Sequence, residues 1–274
     1  MRLLHPKTVL SIIFSFFLAV LTSLFPGISF SSVNVGTTTA NTQYWSATSI
    51  GTAYDVTGGV KRLCVRGWFH GNASTSDNTC LMGRENLAGN QGDWIVGFLG
   101  SGKNPGFRIN NGAEALSWTG LTFDFNWHYY EFCYDGQAAS RNVQVFYDGV
   151  MEISGAYTSD VTNNFSELVI SNYWDGAFGS QGNYYAWEVR PNDRGNWADV
   201  ANGTTVYTPN QCPTPDGGSA GFWAFSEGTG TTVADTGTGG KALTAFGATS
   251  WSTWANTCAS PATSHLLGLM GVGN

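Results

Sequence analysis

The chain has 274 residues, of which 11% are charged and 14% aromatic, with 36 glycines and a formal net charge of −7. An acidic surface repels phosphate backbones, which excludes nucleic acid as a partner. The aromatic content excludes disorder for the bulk of the chain, and low charge with abundant Gly, Thr and Ser favours strands and tight turns over helices. The length suits one large β domain, alone or with a small appendage.

The N-terminus opens with Arg2 and Lys7, an apolar run from Val9 to Phe25, and a break at Pro26-Gly27. Small residues follow, and cleavage after Ser29 or Ser31 places small side chains at both recognition positions. Residues 1–31 are therefore expected to be a secretory signal peptide, and the protein to be secreted or held at the extracellular surface. The run is somewhat long for a signal, so an uncleaved anchor is the alternative, and it alone brings a membrane into the reading. Removal leaves 10 basic against 19 acidic residues, a net of −9.

Residues 33–58 are polar around one strand-like piece, Thr42 to Ala47. Leu63, Val65 and Phe69 then share one face of a strand, with Cys64, Arg66 and Trp68 on the other. Trp94 to Leu99 is a short apolar run, and Asn104-Pro105-Gly106 and Asn111-Gly112 are turns around Phe107 to Ile109. Trp127 to Tyr134 alternates and ends at the turn Asp135-Gly136; Val143 to Tyr147 follows and turns at Asp148-Gly149 into Val150 to Ser154. Ser166 to Ser171 and Tyr184 to Arg190 are further strands around a Gly-rich aromatic loop. Many short strands with regular turn signals and no sustained helical period give a sandwich or barrel. Residues 33–206 form the main β-sandwich, 207–220 a linker centred on Cys212-Pro213-Thr214-Pro215, 221–258 a strand segment, and 259–274 a tail.

Trp127-His128-Tyr129-Tyr130-Glu131-Phe132-Cys133-Tyr134-Asp135-Gly136, followed by Val145-Phe146-Tyr147-Asp148-Gly149, resembles the paired strands of laminin G-like domains in the concanavalin A-like superfamily. Leu63 to Phe69 looks like that family's Trp-bearing strand, and Tyr184 to Arg190 like its last strand. Gly221-Phe222-Trp223-Ala224-Phe225 with Val233-Ala234-Asp235-Thr236-Gly237 resembles its opening strand and loop, which here come last. The resemblance covers about residues 42–254 and implies an antiparallel jelly-roll β-sandwich whose opening strand is displaced to the C-terminal segment. Gly221 to Phe225 is then expected to pair beside Tyr184 to Arg190, since a bare edge there invites aggregation.

Of the five cysteines, Cys64 and Cys133 lie on corresponding faces of their strands, and a bridge between them forms if those strands are neighbours. Cys212 and Cys258 bracket the C-terminal segment and are the second expected pair, which leaves Cys80 odd; Cys64 with Cys80 is the competing pairing. No C-x-x-C pair supports a zinc ribbon or a redox site.

Catalytic patterns are weak. Gly217-Gly218-Ser219-Ala220-Gly221 fits the nucleophile-elbow string, but it follows a linker rather than a strand. Gly237-x-Gly239-x-x-Ala242 lacks the βαβ context of a dinucleotide loop. Glycoside hydrolysis needs two carboxylates across the sugar bond. The superfamily's Glu-x-Asp-x-x-Glu run is missing, and the nearest pairs, Glu131 with Asp135 and Asp148 with Glu152, each use a turn Asp. His70, His128 and His265 are scattered and do not make a zinc site. Asp235 and Asp175 are the candidates for calcium, weighed against plain turn initiation.

Sugar rings stack on indole and phenol faces while amides and carboxylates take their hydroxyls. Asn172, Tyr173, Trp174, Asp175 and Asn183 supply that mixture in one loop, and Trp94 beside Asp93 and Gln91 is a second candidate. The expected function is non-catalytic recognition of a glycan or cell-surface ligand. A structural or adhesive protein with a protein partner, and a glycoside hydrolase of the same fold, are the alternatives.

Overall fold

The computed structural model describes residues 30–35, 43–57, 61–72, 75, 77–86, 91–100, 102–110, 114–121, 123–136, 143–172, 180–192, 215, 218–247 and 249–254. Among them there is no α-helix, and one 3₁₀ turn, Thr52–Tyr54, is seen. In chain order the strands are β1 (Phe30–Val35), β2 (Tyr44–Thr48), β3 (Arg62–Gly71), β4 (Thr79–Asn86), β5 (Gln91–Phe98), β6 (Pro105–Ile109), β7 (Glu114–Ser117) and β8 (Trp127–Asp135). They continue as β9 (Val143–Tyr147), β10 (Val150–Gly155), β11 (Glu167–Ile170), β12 (Gly182–Pro191), β13 (Gly221–Trp223), β14 (Thr232–Val233), β15 (Leu243–Phe246) and β16 (Thr249–Trp254).

Two antiparallel sheets face each other. The first runs β10-β9-β8-β3-β12-β1-β16, with β13 also on β12; the second runs β14-β15-β2-β11-β4-β5-β6-β7. β1 and β13 share one edge of β12: Val33 to Val35 pair with its first residues, Gly221 to Trp223 with Val189 to Trp187. The expected place of Gly221 to Phe225 beside Tyr184 to Arg190 is thus found, and β15 carries the same segment into the second sheet beside β2.

Period-two alternation fills the space between the sheets. Leu63, Val65, Phe69, Tyr130, Phe132, Val145, Tyr184, Trp187 and Val189 enter it from the first sheet, and Trp45, Trp94, Val96, Phe98, Phe107, Leu168 and Ile170 from the second. One exchange sets the middle. A Cβ on Gly67 would lie 2.5 Å from the Trp187 ring, so only glycine lets this indole cross beneath β3, where it donates to the Trp68 carbonyl. β12 bulges between Tyr185 and Glu188, with Ala186 at φ 50, and the Ala186 amide donates to Ala224 O.

The middle of the first sheet's outer face is also closed. Trp68, Tyr129, Tyr185 and Phe222 form a second apolar cluster, and beside it Glu131, Arg66 and Glu188 occupy facing positions on β8, β3 and β12, all buried. Arg66 and Glu188 are ion-paired, and Arg190 and Ser219 also donate to Glu188. Cys64 and Cys133 face each other one step along and form the expected disulfide, with Cα atoms 4.2 Å apart. Cys80 is a buried free thiol, which rules out the competing Cys64–Cys80 pairing. Cys212 and Cys258 lie outside the described residues.

Candidate functional site

The strand directions gather the β3–β4, β5–β6, β7–β8, β9–β10 and β11–β12 turns at one end of the sandwich, the upper rim. This end receives the loop that the sequence singled out. Tyr173, Trp174 and Asp175 lie outside the described residues. Asn172 is buried, and the loop's return is pinned by Ser171 Oγ to Ser180 O (2.7 Å), Ser180 Oγ to Cys80 O (2.8 Å) and Thr75 Oγ1 to Gln181 O (2.5 Å). Asn183 is half-buried and stands opposite His70, which in turn stands opposite Trp127. The three side chains therefore make one row across β12, β3 and β8 on the outer face, since directly opposed residues sit about 5 Å apart. His70 and Trp127 are in ring contact at 5.5 Å, and both are half-buried.

The β7–β8 loop extends this row. Four of the ten residues from Trp118 to Trp127 are aromatic. Phe123 packs on Phe98 from the core and carries Phe125, which is 54% exposed. Lys103, ion-paired to Asp77, lies 5.5 Å over the Phe123 ring. The loop is held by a clamp. His128 Nδ1 lies 2.7 Å from Asp148 Oδ2 and Nε2 lies 2.7 Å from Asp124 Oδ1, while the ring stacks on Tyr147. Asp148 also accepts the Tyr129 amide, and Asp124 accepts both nitrogens of Asn126. Burial alone would lower the His128 pKa, but the two carboxylates outweigh it and hold it above its ordinary value. Strand periodicity does not mark these loop aromatics, because they lie between strands. The available signal was aromatic density between turn residues.

Other expected site residues fall elsewhere. Trp94 is fully buried in the core, so its indole is packing and not a binding surface; the alternation of β5 turns it inward. Asp93 beside it is buried on Arg84 and accepts Thr162 Oγ1 and the amides of Asn164 and Phe165. Asp235 spends both oxygens on protein donors: Oδ1 on the amides of Phe222 and Gly237, Oδ2 on Tyr54 Oη and the Lys241 amide. It organises a turn, and a calcium ion there would have to displace these donors. Among the described residues the one group of three ligand-type side chains close enough to hold a metal is Cys64, Glu131 and Cys133, whose sulfurs are spent in the disulfide.

The catalytic strings read as structure. Ser219 is buried and donates to Glu188, and the residues after it enter strand β13 rather than a helix, so the elbow geometry is missing. Gly239 lies in a turn against Tyr54. Asp135 is paired with Arg62 and Asp148 is spent on the clamp, so neither completes a carboxylate pair with Glu131 or Glu152.

No family model matches the sequence, and no curated protein matches it. Among solved structures, a Bacteroides ovatus protein assigned as carbohydrate-binding matches with TM-score 0.55 and 14% identity. The match covers 82% of this chain and 60% of that one, so the chain spans less than two thirds of its relative's length. The likeness is one of fold: two antiparallel sheets packed face to face as a jelly-roll sandwich. A heptameric SAP-like pentraxin of Limulus polyphemus (TM-score 0.44, 14% identity, 59% of this chain and 76% of that) and mouse laminin alpha1 domains LG4-5 (0.41, 13%, 65% and 43%) also match.

Proposed function

We propose that this chain is a secreted, non-catalytic module that binds carbohydrate across the upper rim of its jelly roll. One observation carries the reading: the half-buried row Asn183–His70–Trp127 lies on the outer face at the rim, and the exposed Phe125 and Asn126 directly precede Trp127 in the chain, which brings amide, imidazole and aromatic groups to one end of the sandwich. Stacking planes flanked by hydrogen-bonding groups suit sugar rings. The row stands on three adjacent strands, and the loop beside it is clamped, which limits the ordering cost of binding. The assigned carbohydrate-binding role of the Bacteroides ovatus protein agrees with this reading. The Cys64–Cys133 bridge suits an oxidising compartment and so supports export.

A glycan array probed with the purified mature chain tests the proposal. Binding to a defined glycan class is expected, weakened about tenfold or more by Trp127→Ala and by Asn183→Ala. Absence of any glycan signal, with capture of a protein ligand by the same face, would favour the adhesive reading. Release of reducing ends from the bound glycan would replace the module by a hydrolase.

A further inference from the structure

We infer that the jelly roll carries a second ligand site, at its lower end, that takes a single non-acidic sugar unit. A cavity of about 290 Å³ opens there, lined by Thr48, Ser49, Glu85, Asn86, Asn164, Phe165, Ser166 and Glu167. Seven of these eight are polar, and no lysine, arginine or histidine is among them. The volume is at the small end of ligand pockets and suits one sugar ring rather than an extended chain.

The wall is built in advance. Glu167 of β11 stands between Thr48 of β2 and Glu85 of β4 at one register position of the second sheet. The loop before it is anchored from below by buried Arg84 and Asp93, 3.2 Å apart. Asp93 takes the Asn164 and Phe165 amides, each at 2.9 Å, and Arg84 Nε donates to Phe165 O at 2.6 Å. On the other side Asn163 bridges to both backbone groups of Val56, and the Ile50 amide donates to Ser166 O. The backbone between 162 and 166 is thus fixed from two directions, while the side chains of Asn164 and Ser166 remain exposed. Such an arrangement holds a recognition surface with little entropy left to lose.

The chemistry of the lining selects the ligand. The Glu85 carboxyl folds back over Gly83, where a Cβ would come within 2.2 Å of Oε1, and receives the Cys80 thiol at 3.3 Å. Glu167 is the half-buried carboxylate. A carboxylate with flanking amides and hydroxyls accepts from vicinal hydroxyl groups and repels anions, so uronic and sialic acids are disfavoured. Phe165 supplies the apolar face for the ring.

Ligand-observed NMR with free glucose, galactose, glucosamine, glucuronic acid and sialic acid tests this on the full mature chain. Measured in the Trp127→Ala background, which removes the rim's contribution, at least one of the non-acidic sugars is expected to bind, with affinity falling about tenfold when Asn164→Ala or Glu167→Ala is added. Glu167→Gln is expected to admit the acidic sugars. No monosaccharide binding in that background, or equal binding of acidic and neutral sugars in it, overturns the second site. The proposal does not depend on the rim, since array binding and monosaccharide binding respond to separate variants.

Discussion

Arg66 on β3 and Glu188 on β12 occupy facing positions of the first sheet and are ion-paired there, both closed to solvent. Arg190 and Ser219 add donors to the same carboxylate. Satisfied in this way a buried pair is tolerated; broken, it leaves a charge in low dielectric. Glu188→Ala is therefore expected to cost about 3 to 5 kcal/mol, read as a fall in the midpoint of urea unfolding. Glu188→Gln should cost less, because it keeps an acceptor for Ser219. Equal stability of wild type and Glu188→Ala would show that the pair contributes nothing.

The neighbouring Cys64–Cys133 bridge joins central strands 69 residues apart in sequence. It restricts the unfolded chain over a long loop, so the double variant Cys64→Ala/Cys133→Ala should lose about 2 to 4 kcal/mol. Non-reducing peptide mapping should recover Cys64 linked to Cys133, with Cys80 alkylated only after denaturation. Alkylation of Cys80 in the native protein would contradict its burial.

The fold was legible where one face of a strand is apolar and a turn dipeptide follows. Trp127–Asp135, Val143–Tyr147 and Gly182–Pro191 are of this kind. β4 was not singled out because Thr79-Cys80-Leu81-Met82-Gly83-Arg84-Glu85-Asn86 has two register shifts against β5, and these destroy its alternation. β1 is hidden because Phe30 and Ser31 adjoin the apolar N-terminal run and read as its end. The outer-face ion pairs could not be read at all: Arg66 and Glu188 are 122 residues apart, and only the β3–β12 register joins them. Trp94 misled because a Trp beside an Asp and a Gln looks alike in a core and on a rim until the facing sheet is known.

The His128 clamp predicts a pH dependence. Both ring nitrogens face carboxylates, so the arrangement needs the imidazolium. The folded-state pKa is raised, so its contribution is complete below the ordinary 6.5 and is lost as pH climbs through the raised value. For Asp124, burial would raise the pKa, but bonds from His128 and Asn126 lower it. Its contribution is complete above the ordinary 3.8 and is lost as pH falls through the lowered value. The clamp is thus strongest between these two limits. Because Asp124 is 47% exposed, solvent screening discounts the total to about 1 kcal/mol. Melting temperatures of the wild type and His128→Gln should differ most near pH 5 to 6 and converge in alkaline solution; a gap constant up to about pH 9 would assign His128 to packing alone.

Asp235 closes the C-terminal segment onto the sandwich. Its two oxygens accept four donors: the Phe222 amide of β13, the Gly237 and Lys241 amides of the following turn, and Tyr54 from the 3₁₀ turn. Burial is the first cause of the raised Tyr54 pKa, with the Asp235 bond and charge adding to it, so the phenol stays a donor across the working range. Asp235→Ala strands three amides and a phenol together, and each unmade bond of this kind costs about 1 kcal/mol or more. A loss of about 3 kcal/mol follows, and it should be local before it is global. Hydrogen exchange at Phe222, Gly237 and Lys241 should accelerate in the variant while the Val65 and Phe132 amides of β3 and β8 keep their protection at low denaturant. Added calcium should leave the wild-type melting temperature unmoved. A calcium-dependent rise that disappears in Asp235→Ala would mean that a cation, and not the four protein donors, is the carboxylate's partner.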